Sequence, residues 1–196
     1  MKHKLAIAIL AAGKADRFGG GKLDANLAGK RLGSYAVEAA LPLGLPKIVV
    51  ACPPPEFASE ALACGEAQLL RNKRADEGLG TSVALAAMQA SAAGAEALLL
   101  LLADMPQVSS GTLSKLVENC SPERPAAVEH HDGRAGIPAC FPADWFPRLA
   151  GLTHDHGAGG LLNEATNVAL VRVDPSELVD IDTQADLSAL ETRHRL

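Results

Sequence analysis

The segment LAAGKADRFGGGK, residues 10–22, sets two cations, Arg17 and Lys22, among glycines and alanines at the end of the apolar run LAIAILA. Small residues let backbone N–H groups approach an anion closely, and an inward-reaching Arg and Lys add positive charge, so this composition suits a triphosphate. Two familiar phosphate fingerprints are absent. The pattern G-x-x-x-x-G-K-[ST] fails because Asp16 stands where its first glycine belongs and Leu23 where Ser or Thr belongs. The pattern G-x-G-x-x-G fails because Lys14 and Ala15 follow Gly13. A plain glycine-rich surface loop is the competing reading. A carboxylate, Asp104 in ADMP, follows the run ALLLLL. At the end of a buried strand it would be costly to desolvate without a cation or several donors. Mg2+ held by one or two carboxylates plus nucleotide phosphates meets that need. The alternative is a cap for a helix that begins near Ser109.

A third segment, NKRADEGLGTS at residues 72–82, offers Asn72 with both donors and an acceptor for a base edge. Gly78 and Gly80 would let backbone pass close to a planar base or ribose, with Ser82 at a helix start; a long turn capped by Thr81 or Ser82 is the plainer reading. The histidines His130, His131, His154 and His156 lie in polar, turn-like stretches with no cysteine at a zinc spacing. They read as solvated loop or as contacts to an anionic acceptor.

These groups need a frame. Apolar runs at 5–11, 47–52, 68–70, 97–103 and 168–173 predict strands, and stretches of helical composition at 32–41, 56–64, 81–93 and 112–119 lie between most of them. Strand and helix in alternation imply βαβ units and a largely parallel sheet. ALLLLL lacks alternation, as a strand covered on both faces should. Beyond residue 120 the pattern predicts a small hairpin beside the parallel sheet, turning at His131, Asp132 and Gly133, then helices in DWFPRLAGL, GLLNEA and TQADLSALE, the last with Thr183 as N-cap and Asp186 three residues on. The expected fold is α/β: a single-domain, Rossmann-like, three-layer arrangement over 1–196. Ligands of such sheets bind beyond the carboxyl ends of the strands, which is where the three segments fall.

The chain has 196 residues, 48% hydrophobic but only 3% aromatic, so its core must be mainly Ala, Leu and Val, suited to helices packed closely on a sheet. A net charge of −5 without a Lys/Arg block argues against nucleic acid as a partner. Cys52, Cys64, Cys120 and Cys140 form no C-x-x-C pair and are expected to be reduced, mostly buried small side chains. Lys2 and Lys4 before an apolar run have the order of an export signal, but Lys14, Asp16 and Arg17 occupy the region where a cleavage site should be small and uncharged. A buried first strand and a cytoplasmic protein without a membrane segment are the expectation.

Taken in order, these motifs resemble the MobA-like nucleotidyltransferases. LAAGKADRFGGGK is similar to the family's L-A-[AG]-G-x-S-x-R-[FM]-G-x-x-K signature, NKRADEGLGTS to its base-holding segment, LLLADMPQV to its metal-site segment, and DGRAGIPACFP and DIDTQADL to its acceptor-side and closing motifs. The Ala-Ala-Gly form and the last two motifs look most like the molybdenum cofactor cytidylyltransferase branch. The resemblance implies Mg2+-dependent transfer of NMP, CMP from CTP, to a phosphorylated acceptor, a pterin of the molybdopterin type, with a molybdoenzyme as transient partner. It also implies roles. Arg17, Lys22 and Asp104 would be catalytic. Leu10, Ala11, Ala12, Gly13, Gly19, Lys22, Asn72, Gly78, Gly80 and Ser82 would hold the nucleotide. Asp104 and Asp182 would hold the metal, with Asp180 as fallback for the second ligand, and Pro138 and Asp155 would face the acceptor. Three positions depart from the pattern: Ala15 in place of Ser, Ile137 in place of a His before the proline, and Gly159 in place of an Arg. The last two bear on the acceptor. Guanylyl transfer, transfer to a sugar or small-metabolite phosphate, and a non-catalytic pterin carrier are the alternatives.

Overall fold

The structure, a computed structural model, describes residues 4–13, 15–154 and 156–194, without the side chains of Asp16 and His194. In chain order the elements are β1 (Leu5–Leu10), a two-rung hairpin of β2 (Asn26–Leu27) and β3 (Lys30–Arg31), α1 (Ser34–Ala40), β4 (Lys47–Ala51), α2 (Glu56–Ala63), β5 (Gln68–Arg71), α3 (Leu79–Ala92) and β6 (Ala97–Leu102). There follow α4 (Ser110–Asn119), β7 (Ala126–Glu129), β8 (Ala135–Pro142), α5 (Phe146–Ala150), α6 (Ala158–Glu164), β9 (Ala169–Val171) and α7 (Gln184–His194). One seven-stranded sheet runs β5-β4-β1-β6-β8-β7-β9, parallel through its first four strands.

Three layers follow from side-chain alternation along the central strands. Leu5, Ile7 and Ile9 of β1 and Leu99 and Leu101 of β6 pack with α1, α2 and α4, while Ala6, Ala8, Leu10, Leu98 and Leu100 pack with α3, α5 and α6. Every β1 residue is buried, so a run without polar alternation is what this position demands. The alanines of α3, Ala86, Ala87 and Ala90, are fully buried and let that helix sit close to the sheet.

Several expectations need correction. The predicted hairpin turns at 131–133, with the His130 amide donating to the Arg134 carbonyl at 2.9 Å, and it lies beside the parallel strands, hydrogen-bonded into the same sheet. Its strand β8 is antiparallel to β6, and β9 adds parallel to β7, because Cys140 faces one core while Ala139 and Phe141 face the other. The β2–β3 hairpin was not foreseen. Helix α3 starts at Leu79 rather than Thr81, which places Gly80 and Ser82 inside its first turn. Of the four cysteines only Cys140 is buried; Cys52 and Cys120 are half-buried and Cys64 is exposed.

Two caps tie the loops to this frame. Helix α2 begins after Pro55, which has no side-chain acceptor, and Asp24 supplies the cap from 32 residues away: its carboxylate accepts from the Glu56 and Phe57 amides, both at 2.9 Å. At α7, the expected capping box forms, with the Thr183 amide donating to Asp186 at 2.7 Å and the Asp186 amide to the Thr183 hydroxyl at 3.2 Å. The Asp186 carboxylate also accepts from the Asp182 amide at 3.2 Å.

Asp24→Ala is expected to lower stability by about 1 kcal/mol, the usual worth of an N-cap, read as a shift in the urea midpoint at constant m. The Thr183 hydroxyl and amide, with the Asp182 amide and the Arg17 charge, hold the Asp186 carboxyl below its ordinary value. Its stabilisation is therefore complete above the unfolded carboxyl pKa of about 3.9 and is lost as pH falls through the lower folded value. Denaturation of wild type and Asp186→Asn across pH should show a gap that is constant near neutrality and closes in acid; a gap independent of pH would refute the linkage.

Candidate active site

Arg17 and Lys22 come from two 3₁₀ turns, Asp16–Phe18 and Lys22–Asp24, separated by Gly19, Gly20 and Gly21 at φ 91°, 94° and 62°. Three consecutive left-handed residues are tolerated only by glycine, and they turn the chain so that Lys22 points back under the rim of the sheet. The Ala15 carbonyl accepts from the Phe18, Gly19 and Gly20 amides at 3.0, 3.2 and 3.2 Å, so the Gly19 amide is engaged inside the loop. The α-carbon of Gly13 faces open space. Leu10 and Ala11 are buried at the end of β1, with Ala12 half-buried beyond them.

The four charged residues named from sequence converge. Lys22 Nζ lies 2.7 Å from Asp104 Oδ2 and 3.4 Å from Asp182 Oδ1, and Arg17 Nη1 lies 3.0 Å from Asp182 Oδ2. The Lys22 side chain is 10% exposed and that of Arg17 78%. Local packing explains the meeting. Phe18 and Ile181, the neighbours of Arg17 and Asp182, share a small core with Leu27, Leu32, Leu187 and Leu190. The Ile181 amide donates to the Asp104 carbonyl at 3.0 Å, which sets Asp182 beside the end of β6. Asp104 is no helix cap, because Ser109 caps α4 by accepting from the Thr112 amide at 3.1 Å.

Two half-exposed carboxylates aimed at one cationic centre are hard oxygen donors, and among the described residues no group of three or more His, Cys, Asp or Glu is placed to hold an ion. Such a pair fits a Mg2+-type cation that takes its other ligands from water and phosphate, and does not fit zinc. Asp180, the fallback ligand, is exposed.

At the start of α3 the buried Asn72 donates to the Thr81 and Ser82 hydroxyls, both at 2.9 Å, and accepts from the Arg74 amide at 3.0 Å. Its amide thus fastens the β5 end to the first turn of α3. Gly78 enters that turn at φ 117°. Gly80 is needed for a reason the sequence did not reveal. Its amide donates to the His154 carbonyl at 2.8 Å, and a β-carbon would stand 2.8–2.9 Å from the carbonyls of Thr153, His154 and His156. Asp155, expected on the acceptor side, lies outside the described residues.

Pro138 is buried in β8 after a cis Ile137–Pro138 bond. Pairing with β6 ends at Leu100 opposite Ala139, and pairing with β7 jumps from Ala139 to Gly136, so Ile137 and Pro138 form a bulge beside the carboxyl end of β6. The His130 ring lies over Gly136, where a β-carbon would stand 2.1 Å from Nε2. Asn163 of α6 holds the strand start, donating to the Ala135 carbonyl at 2.8 Å and accepting from its amide at 3.1 Å. Sequence reasoning missed Asn163 and Asp24; a helix-averse Asn within α6 is the only local signal of the first.

Residues 7–169 match the MobA-like NTP transferase domain family. The chain is 34% identical over 185 residues to the purine catabolism protein PucB of Bacillus subtilis, covering 89% of each. In fold it is similar to a nucleotidyl transferase from Methanothermobacter thermautotroptrophicus, with TM-score 0.80, 22% identity and 97% of both chains covered. It is similar too to the Rv0371c protein of Mycobacterium tuberculosis in complex with manganese, with TM-score 0.71, 22% identity and 96% and 98% covered. With a charged cluster at the carboxyl rim of its parallel strands and a family match across most of its length, the chain is a nucleotidyltransferase belonging to the MobA-like NTP transferase family.

Proposed function

We propose that the protein transfers CMP from CTP to the phosphate of a pterin acceptor of the molybdopterin type and releases pyrophosphate. The observation that carries this reading is the convergence of Lys22 and Arg17 with Asp104 and Asp182 at one rim of the sheet. The Ala11-Ala12-Gly13 form of the first loop supports CTP, and the DGRAGIPACFP and DIDTQADL segments support the pterin acceptor.

An acceptor phosphate monoester is already largely ionised at neutral pH, since its second pKa is about 6, so no general base is required. Its oxygen attacks the α-phosphorus in line; the new P–O bond forms as the bond to the β-phosphate bridge breaks, and pyrophosphate leaves with the electron pair. Little covalent work falls to the protein, so its task is positioning and charge neutralisation. Lys22 and Arg17 offset charge on the departing phosphates. Asp104 and Asp182 would hold Mg2+, which when bound supplies Lewis-acid stabilisation of phosphoryl charge. The turn into α3, fastened by Asn72, carries the base and ribose past Gly78, while Pro138 lies towards the acceptor.

Pyrophosphate release with CTP, GTP, ATP and UTP, each with Mg2+ and molybdopterin, tests the reading. Turnover with CTP above the other three is expected. Preference for GTP would overturn the nucleotide assignment, and silence from a protein that still binds CTP would overturn the acceptor. Arg17→Ala should lower kcat by about 10²–10³-fold, the usual cost of losing one transition-state donor, with an unchanged unfolding midpoint because its ion pair is exposed. Asp104→Asn should abolish metal-dependent turnover; undiminished metal-independent turnover would remove Asp104 from the metal site.

A further inference from the structure

At the opposite end of the sheet lies a cavity of about 960 Å3. Leu5 and Ala97, which begin β1 and β6, line it together with Leu45, Val117 and Pro142. It is separated from the charged rim by the length of β6, roughly 16 Å for five strand steps. Two cysteines share its wall. Cys120 ends α4 and is half-buried, and Cys140 lies in β8 on the sheet face against which α4 packs. The Ser121–Arg124 bridge turns the chain back after α4, so Cys120 lies beside the start of β7, where Ala126 is the register partner of Cys140.

The two sulfurs stand in unlike surroundings. The contact with Cys140, helped by the Ala126 backbone, holds the Cys120 thiol below its ordinary value. Contact with Cys120, together with burial, pushes the Cys140 thiol well above its own. A half-exposed thiol whose pKa is lowered, beside a buried one whose pKa is raised, is the division of labour between an attacking and a resolving cysteine. Cys64 is more exposed than either but is not among the residues that line the cavity, and the Glu118 and Asp144 carboxylates that do line it disfavour anionic oxidants over small hydroperoxides.

We propose that Cys120 and Cys140 are a redox-responsive dithiol that hydroperoxides convert to an intramolecular disulfide. The Cys120 thiolate attacks one peroxide oxygen, the O–O bond breaks, and the departing hydroxide or alkoxide takes up a proton, leaving Cys120 as a sulfenic acid. Cys140 then attacks the Cys120 sulfur; the S–S bond forms, the S–O bond breaks, and the hydroxide leaves as water with the Cys140 proton. Two thiols are oxidised and one peroxide is reduced to water and its alcohol, or to two waters. The product fastens the end of α4 to β8.

Titration of the folded protein with hydrogen peroxide, followed by alkylation under denaturing conditions and peptide mapping, tests this. The expected result is loss of two alkylatable thiols, a mass lower by two hydrogens, a Cys120–Cys140 crosslinked peptide and full reversal by dithiothreitol. Cys64→Ser should leave all of this unchanged. Cys120→Ser should abolish it, and Cys140→Ala should stop at a Cys120 sulfenic acid that dimedone traps. Should Cys140→Ala not fold, the wild-type peptide map decides alone. Oxidation confined to Cys64 or Cys52, or a crosslink between two copies of the chain, would overturn the proposal. Because the site is remote from the nucleotide rim, neither result bears on the transferase reading.

Discussion

An ammonium buried as deeply as that of Lys22 is tolerable only where anionic oxygen meets it, and the two carboxylates that do so come from distant parts of the chain. Asp104 lies at the end of the central strand β6, Asp182 just before the last helix, and Lys22 in a loop after the first strand. The requirement to meet at one point organises much else. The glycine run, the small core of Phe18 and Ile181, the Asp24 cap and the Asp186 capping box all serve to bring those three side chains to one place. Remove the common point and these features have no shared purpose.

The two cations are held differently. Lys22 is enclosed and bound twice, so it is fixed in position and loses little freedom when a ligand arrives. Among the described residues Arg17 pairs with Asp182 at the surface, an ion pair worth at most about 1 kcal/mol, and can leave it at small cost. One cation is built into the fold and the other is free to reorient at the surface. Among the described residues the cluster sets two positive side chains against two negative ones, so opposite charges meet at each of its contacts.

The parallel half of the sheet was legible in the sequence because buried strands cannot alternate, and ALLLLL and LAIAIL do not. The α7 capping box was legible because its partners are three residues apart. Other features leave no local trace. The strands β2 and β3 hold two residues each, too few to show a period. Asp24 caps a helix from 32 residues away, and nothing near either residue announces it. Gly80 was read as room for a base, but a close approach looks the same in sequence whether the neighbour is a ligand or the backbone of residues 153–156. The hydrogen bonding of β8 into the main sheet depends on both of its faces being covered, and that is decided by α4 on one side and α6 on the other.

The bulge at Ile137 and Pro138 has a bearing on how such a fold diversifies. These two residues contribute no rung to either neighbouring strand, so the sheet does not constrain their identity as it constrains Ala139 or Cys140. A lineage can rewrite that short stretch, at the edge of an otherwise rigid floor, without unpicking the ladder beneath it. The strand can in this way vary where it makes no rung while the ladder on either side of it is kept.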